Sequence, residues 1–535
     1  MSAALFLPAL LALATCASPA AAADGPVATF ALVIGSNRTA QQRHPPLQYA
    51  DDDGARYQAI LSAVTGPDRT TLLTELDEDS ARLFPAQAAL ARPPTRGNVL
   101  AAGRALSSAV ATARAAGQAT RFYFVFAGHG DVEQGRGLLE LADGVLDSED
   151  LAALLREVGA AETHVLLDAC NSFFVINPRK PGGRRFATPR DLAERIARRL
   201  PGVGVFLSTS AEAEVFEWSE LQSGVFSHAV RSGLLGGADA DGDGRISYDE
   251  LAAFVETSSA GIKNPLYRPR VFARSIDGRG DRTFLDLRDL PGATLALRSD
   301  GPLRIAVRDT DGLRWADLFA EPGQPLRIWL PPALYGRVEL ERLRPGPGRP
   351  QVEERYRIPA SPGVHLAGLE SLTALPGSPA PRGAGEIFEE LLARPFGPSA
   401  LASWQRARSG AAEPVFGVSR EDEARLGRLL RQLATSERER RLVRGSVSAS
   451  AGLGVGAFLV AEASDSPASR RGGQVILASG LALAGLGLGA HDLLRTSEGE
   501  RIERRFAQVI ADPAADHAQA VADADAALRG LLVDE

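Results

Sequence analysis

At 535 residues, 45% hydrophobic and 23% charged, the chain is too long for one ordinary domain and has globular composition. A net charge of -7, from 59 basic and 66 acidic residues, gives no sign of nucleic acid as a partner. Two cysteines, Cys16 and Cys170, rule out a disulfide framework.

Residues 1–23 carry an apolar run from Leu5 to Leu13 and small residues up to Ala23. They read as a secretory signal cleaved near Ala23–Asp24, which predicts an exported protein, periplasmic or extracytoplasmic. The segment has no positive n-region, and "LATC" around Cys16 loosely resembles a lipoprotein attachment box. A lipid anchor, or neither device, is the alternative. With the signal removed, Cys170 is the one cysteine left, either a buried filler or a reactive group.

From residue 27 to about 256, apolar runs alternate with amphipathic segments. The runs at 27–35, 70–76, 121–128, 163–169 and 203–210 are nearly continuous, the pattern of strands buried on both faces. The segments 51–64, 98–115 and 148–158 read as helices, the last with Asp147 or Ser148 as its N-cap. This alternation predicts an α/β fold with a mainly parallel sheet flanked by helices, over a domain at 24–275. Sites in such sheets sit at the carboxyl ends of strands, and His129 and Cys170 each follow a predicted strand directly.

Residues 280–375 alternate polar and apolar between prolines and glycines, and predict a small β-rich module with no visible chemistry. Residues 376–444 read as linker and then charged helix. Two uncharged stretches of about 17 to 19 residues follow within 445–494, near the lower limit for crossing a bilayer, and both are rich in small residues. A transmembrane hairpin is the preferred reading, with a buried helical hairpin as the alternative. Residues 495–535 form a helical tail.

"FYFVFAGHGD" (122–131) and "HVLLDACNS" (164–172) place His129 and Cys170 at strand ends. A thiol attacks as thiolate, and a neighbouring imidazole supports that form. Gly128 and Gly130 permit close substrate approach, and the amides of Gly130 and Cys170 form a candidate oxyanion hole. The plain alternative is a core cysteine with an unrelated surface histidine.

Together with "ALVIGSNRTA…PPLQYADDDGARYQAIL", these motifs resemble the caspase–metacaspase superfamily of cysteine peptidases, closest to bacterial metacaspase-like proteins, over about residues 27–256. The resemblance implies a caspase-like fold and catalysis by His129 and Cys170. Where caspases that cut after Asp read Q-A-C, this chain has "DACNS", with Asp168 on the same strand face as Cys170. A carboxylate there attracts Arg or Lys at P1 and repels Asp. The resemblance also implies that "DDG" supplies Asp53 as the second acid of the S1 pocket. Asp51 to Asp53 equally suit a helix N-terminus. Two departures stand out: Ala127 where the family usually has Ser, and Asn171 where His or Arg is common. Glu217 and Trp218 fall where the family places substrate-contacting loop, although a lone Trp is more often packing. The basic loop 177–186 offers Arg185–Phe186 as a self-processing site, a solvated loop being the simpler reading; Lys180 is followed by Pro, a poor scissile bond.

"DADGDGRISYDE" (239–250) fits an EF-hand loop. Asp239, Asp241 and Asp243 take positions 1, 3 and 5, with Gly244 at the turn. Arg245 offers its carbonyl at 7, Ser247 stands at 9 and Glu250 is the bidentate ligand at 12. Hard oxygens at this spacing predict bound Ca²⁺, against an acidic turn that binds no metal. No partner hand is visible. The expected function is a membrane-tethered cysteine endopeptidase with protein or peptide substrates. The alternatives are an inactive caspase-like scaffold at a membrane and a related acyl-transfer enzyme.

Overall fold

The computed structural model describes residues 27–40, 44–133, 136–169, 198–208, 217–218, 221–262, 268–288, 290–344, 351–358, 365–367, 372–375, 391, 393–410 and 420–464, with 475–477, 479, 481–484 and 496–511 near the C-terminus. Strand β1 (Val27–Ser36) leads through α1 (Ala50–Thr65) to β2 (Thr70–Thr74). Two short helices, α2 (Glu78–Leu83) and α3 (Pro85–Ala88), and the long α4 (Arg96–Ala115) return the chain to β3 (Ala119–Gly128). A small antiparallel side sheet follows: β4 (Gly130–Glu133), β5 (Arg136–Glu140) and β6 (Val145–Asp147). Helix α5 (Ser148–Val158) then precedes β7 (Glu162–Asp168) and β8 (Val203–Ser208). The hairpin β9 (Glu217–Trp218) and β10 (Ser223–Gly224) runs into α6 (Val225–Ser232). Strand β11 (Arg245–Ser247), α7 (Tyr248–Ser259) and β12 (Val271–Arg274) complete this part.

The central sheet has the order β12-β8-β7-β3-β1-β2, and every pair in it is parallel except β12 with β8. The fold is therefore mixed α/β around a mainly parallel sheet, as its continuous apolar runs predict. All five predicted strands are present. Alternate residues feed two cores: Phe122, Phe124 and Phe126 of β3 pack with α4 and α5, while Tyr123 and Val125 pack with α1 and α7. Each fully buried side chain of this size contributes about 1.5–3 kcal/mol, which makes the sheet a rigid platform. Asp147 caps α5 in a reciprocal box with Asp150, as its position predicts. Order reverses between β1 and β3, whose chain continues in opposite directions across the sheet. The carboxyl ends there open the crevice where parallel sheets bind ligands.

The β-rich segment holds β13 (Thr283–Asp286), β14 (Ala293–Leu297), β15 (Leu303–Asp309), β16 (Arg314–Ala320), β17 (Leu326–Leu330), β18 (Val338–Leu343), β19 (Val352–Arg357), β20 (His365–Ala367) and β21 (Thr373–Leu375). They form a three-stranded sheet, β17-β14-β20, and a five-stranded one, β16-β15-β18-β19-β21, while β13 pairs with β11. Leu295, Ile305, Trp315 and Leu340 belong to the same hydrophobic cluster as α1, α6 and α7. The segment thus shares one core with a face of the central sheet. Gly236 shows how close the packing is: a Cβ there would lie 2.0 Å from the Arg327 carbonyl oxygen.

Helix α8 (Pro398–Gly410) is followed by α9 (Arg420–Ser464), which joins the charged segment and the first uncharged stretch in one continuous helix. By length and composition its Leu430–Glu462 part is long and apolar enough to cross a membrane, and 475–484 is a shorter apolar helix. Helix α10 (Glu498–Ala511) packs back along α9, with Glu500 bonded to Arg441 at 3.0 Å.

Candidate functional site

The carboxyl ends of β1, β3 and β7 meet in register, Gly35 beside Ala127 and Ala127 beside Asp168. His129 follows β3 directly. Its Nε2 lies 2.9 Å from the Pro45 carbonyl oxygen. A carbonyl only accepts, so Nε2 carries the proton and Nδ1 is left as the basic nitrogen. The His129 ring also stacks on His44, with centroids 5.0 Å apart and planes at 22°. Gly128 before it is sterically required, since a Cβ there would sit 2.9 Å from the Ser36 carbonyl oxygen. Gly130 pairs with Leu139, and the adjacent bond runs from Glu140 N to His129 O at 3.0 Å. In an antiparallel ladder this makes Gly130–Leu139 a non-hydrogen-bonded pair, so the Gly130 amide faces away from β5. Cys170 and Asn171, two and three positions past Asp168 in sequence, lie outside the described residues, as do Lys180, Arg185 and Phe186.

Asp168 and Asp53 converge on Gly224: a Cβ there would meet Asp168 Oδ2 at 3.1 Å and Asp53 Oδ2 at 3.2 Å. The two predicted acids are therefore neighbours, although 115 positions (168 − 53) separate them. Their surroundings differ. Asp53 is saturated, its Oδ1 accepting from Ser223 Oγ and Arg231 Nη1 at 2.6 Å each and its Oδ2 from the Gly224 amide at 2.8 Å. Among the described residues Asp168 accepts from Ser227, through its amide at 3.1 Å and its hydroxyl, both on Oδ2. Burial pushes the Asp168 carboxyl up to about 7, against the Ser227 hydrogen bonds.

The acidic start of α1 is more than a solvated helix end. Asp51, Asp52 and Asp53 are all buried. Asn37 Oδ1 accepts from the amides of Ala50 and Asp51 at 2.8 and 3.2 Å, and its Nδ2 donates to Asp51 at 2.7 Å. Tyr49 supplies no side-chain cap. Asn37 takes that part, and Glu217 of β9 holds the turn before the helix, accepting from Gln48 N at 2.9 Å and Tyr49 N at 2.7 Å, while burial raises its carboxyl to about 7. The predicted substrate-loop residue thus holds the turn that leads into α1. Side-chain detail for Trp218 lies outside the described residues.

The acidic loop between α6 and α7 brings ligand oxygens of Asp239, Asp241 and Asp243 within 4.8 Å of one another. Gly244, at φ 81°, makes the turn and donates to Asp239 at 3.1 Å. Ser247 caps α7 reciprocally with Glu250, whose Oε1 accepts from Ala240 N at 3.1 Å. Arg245 lies on β11 and donates through its amide to Asp243 at 2.6 Å. Burial raises Asp239 to about 6 and raises Glu250 as well. Arg327 of β17 lies 3.7 Å from Asp239 and donates to the Gly242 carbonyl at 3.1 Å. Instead of a second hand, β11 pairs with β13.

Sequence reasoning passed over Asn37, Pro45, Ser223, Ser227 and Arg231. "SGVFSHAVRS" (223–232) reads only as the helix before the acidic loop, and its polar residues at 223, 227 and 231 stand four apart, the first on β10 and the other two on one face of α6. That spacing was the available signal. No protein-family model matches the chain, and no curated protein matches it.

Proposed function

We propose that this chain is a caspase/metacaspase-like cysteine endopeptidase, exported and membrane-tethered, that hydrolyses peptide bonds after Arg or Lys. The observation that carries the reading is the oriented His129, its Nε2 on the Pro45 carbonyl, one strand away from the buried Asp168 that precedes Cys170 by two residues. In this reading Nδ1 of His129 takes the Cys170 thiol proton, and the sulfur attacks the scissile carbonyl carbon. The amides of Gly130 and Cys170 stabilise the oxyanion. His129 then returns the proton to the leaving amine, and water, activated by the same nitrogen, cleaves the thioester.

Basic P1 selection falls chiefly to Asp168, because Asp53 already carries Arg231 as counter-ion. Asp53 is then a positioning residue that, with Arg231 and Ser223, fixes the Gly224 wall beside Asp168. The donor set of Asp239, Asp241, Asp243, Arg245, Ser247 and Glu250 is all oxygen and suits Ca²⁺. Bound there, calcium supplies positive charge that offsets the buried carboxylates and braces α6 against α7. The apolar part of α9 and the 475–484 helix fit a membrane hairpin, and α10 lying back along α9 fits both hairpin ends being on one side.

The test is hydrolysis of Arg-, Lys- and Asp-ended fluorogenic peptides by the detergent-solubilised chain, beside Cys170→Ala and His129→Ala. The reading expects cleavage after Arg and Lys that falls at least about 10³-fold in either variant. Folded, calcium-loaded protein with no turnover would favour an inactive scaffold.

A further inference from the structure

We propose that His44, Asp131 and Glu140 form a binding site for a zinc-like divalent transition-metal ion, distinct from the acidic loop. Three separate segments converge here: the loop before α1, β4 and β5. One ligand atom from each lies within 4.8 Å of the others. His44 Nε2 is 3.5 Å from Glu140 Oε1 and 3.9 Å from Asp131 Oδ2. It is a buried atom that makes no hydrogen bond.

The distances distinguish a metal site from an ion pair. A charge-assisted N–H···O bond closes to about 2.7–2.9 Å. Tetrahedral zinc, with bonds of about 2.0–2.1 Å, holds its ligand atoms about 3.3 Å apart. The observed separations lie on the metal side of that divide. Charge points the same way. Two carboxylates face one imidazole nitrogen, and the Glu140 side chain is only 2% exposed. A divalent ion placed among these three atoms is attracted by both carboxylates. Asp131 and His44 are about one-third exposed, which leaves the remaining coordination position to water. One imidazole with two carboxylates suits zinc or cobalt better than calcium, whose ligands are oxygens.

The location gives the site a role. His44 is stacked on His129, and the next residue, Pro45, provides the carbonyl that holds His129 Nε2. A metal on His44 ties that loop to the β4–β5 hairpin and so fixes the carbonyl. His44 is therefore a positioning residue. Metal binding is independent of the peptidase reading; only its effect on turnover rests on that reading.

The experiment titrates Zn²⁺, and separately Co²⁺, into chelator-treated full chain in detergent with saturating Ca²⁺, on a Cys170→Ala background that removes the thiol ligand. One equivalent is expected by calorimetry, with visible Co²⁺ bands of four-coordinate strength. Loss of even an outer partner costs about 10–100-fold in metal affinity, so His44→Ala and Glu140→Gln are each expected to weaken binding at least about 100-fold. Asp131→Asn, at the more exposed ligand, provides a variant less able to disturb folding, and circular dichroism checks all three. No stoichiometric binding, or binding unchanged in folded His44→Ala, overturns the site. Binding with no peptidase activity in the Cys170 protein leaves the site standing and removes the peptidase reading; activity without binding does the reverse.

Discussion

With Asp168 as the carboxylate that receives a basic P1 side chain, selectivity for arginine must follow the ionisation of that one group. Burial raises its carboxyl to about 7, with the Ser227 bonds and Arg231 opposing and Asp53 reinforcing the shift. Only the ionised form pairs with a guanidinium. At pH 5, two units below that value, about one molecule in 100 carries it. The assay is kcat/KM for matched arginine and citrulline peptides between pH 5 and 8. Citrulline keeps the shape and loses the charge, and the ratio cancels the ionisation of Cys170 and His129, which both substrates share. The ratio is expected to be flat above pH 7 and to fall about tenfold per unit below it. In Asp168→Asn it should lie near one throughout, with citrulline turnover within a few-fold of wild type. A wild-type ratio that does not change with pH, or an arginine preference that survives Asp168→Asn, refutes the assignment.

The same carboxyl has a stability consequence. Its folded value lies above its unfolded value of 3.8, so the folded state holds the extra proton between about pH 4 and 7, and stability falls as pH rises through that window. Urea melts should show Asp168→Asn gaining on wild type from pH 5 to pH 8. Calcium at 100 times its Kd should stabilise the chain by about 2.7 kcal/mol, and Glu250→Gln should abolish the thermal shift. Asp317→Ala should destabilise by about 3–5 kcal/mol, because it strips His228, bonded at 2.9 Å, and Arg314 of their buried partner. Burial opposes ionisation of Asp317, yet Arg314 and His228 hold it well below the ordinary carboxylate range. A chain ending at residue 419 should leave the membrane fraction on carbonate washing, where the full chain should stay.

Strands, helix spans and the acidic loop are legible in the sequence because each is written locally. Continuous apolar runs mark β1, β3, β7 and β8, and Asp147 marks the start of α5 within one residue. The polar frame of the site is not local. Arg231 meets Asp53 across 178 positions, and Glu217 holds the Tyr49 amide across 168. Neither partner has a neighbour in sequence that announces the other, and Pro45 acts through a backbone carbonyl that no side-chain pattern encodes. In the C-terminal half, composition changes where the backbone does not. The charge drop near residue 445 suggests a boundary, yet α9 runs through it, because backbone hydrogen bonding does not register a change from Arg to Ala.

Helix α6 explains why the acidic loop and the β-rich segment lie where they do. One turn of it gives Ser227 to Asp168, and the next gives Arg231 to Asp53. Between them His228 bonds Asp317 of β16, and Ser232 accepts from the Asp317 amide at 3.0 Å. Seven residues further on, past the wide turn at Gly233–Gly237, the chain reaches Asp239 and its loop. From there it returns through α7, whose Tyr248 hydroxyl reaches His164 of β7 at 2.7 Å. The strand that delivers Asp168 is thus gripped from both sides of the loop, by α6 at its carboxyl end and by α7 at its middle. Fully buried polar pairs of this kind tolerate little displacement, since each broken partner leaves a charge or donor without solvent. A shift of α6 by a fraction of a hydrogen-bond length must therefore be felt at Asp168, Asp53 and Asp317 together. The rise that burial gives the Asp168 carboxyl is thus opposed by hydrogen bonds whose donors this one helix positions.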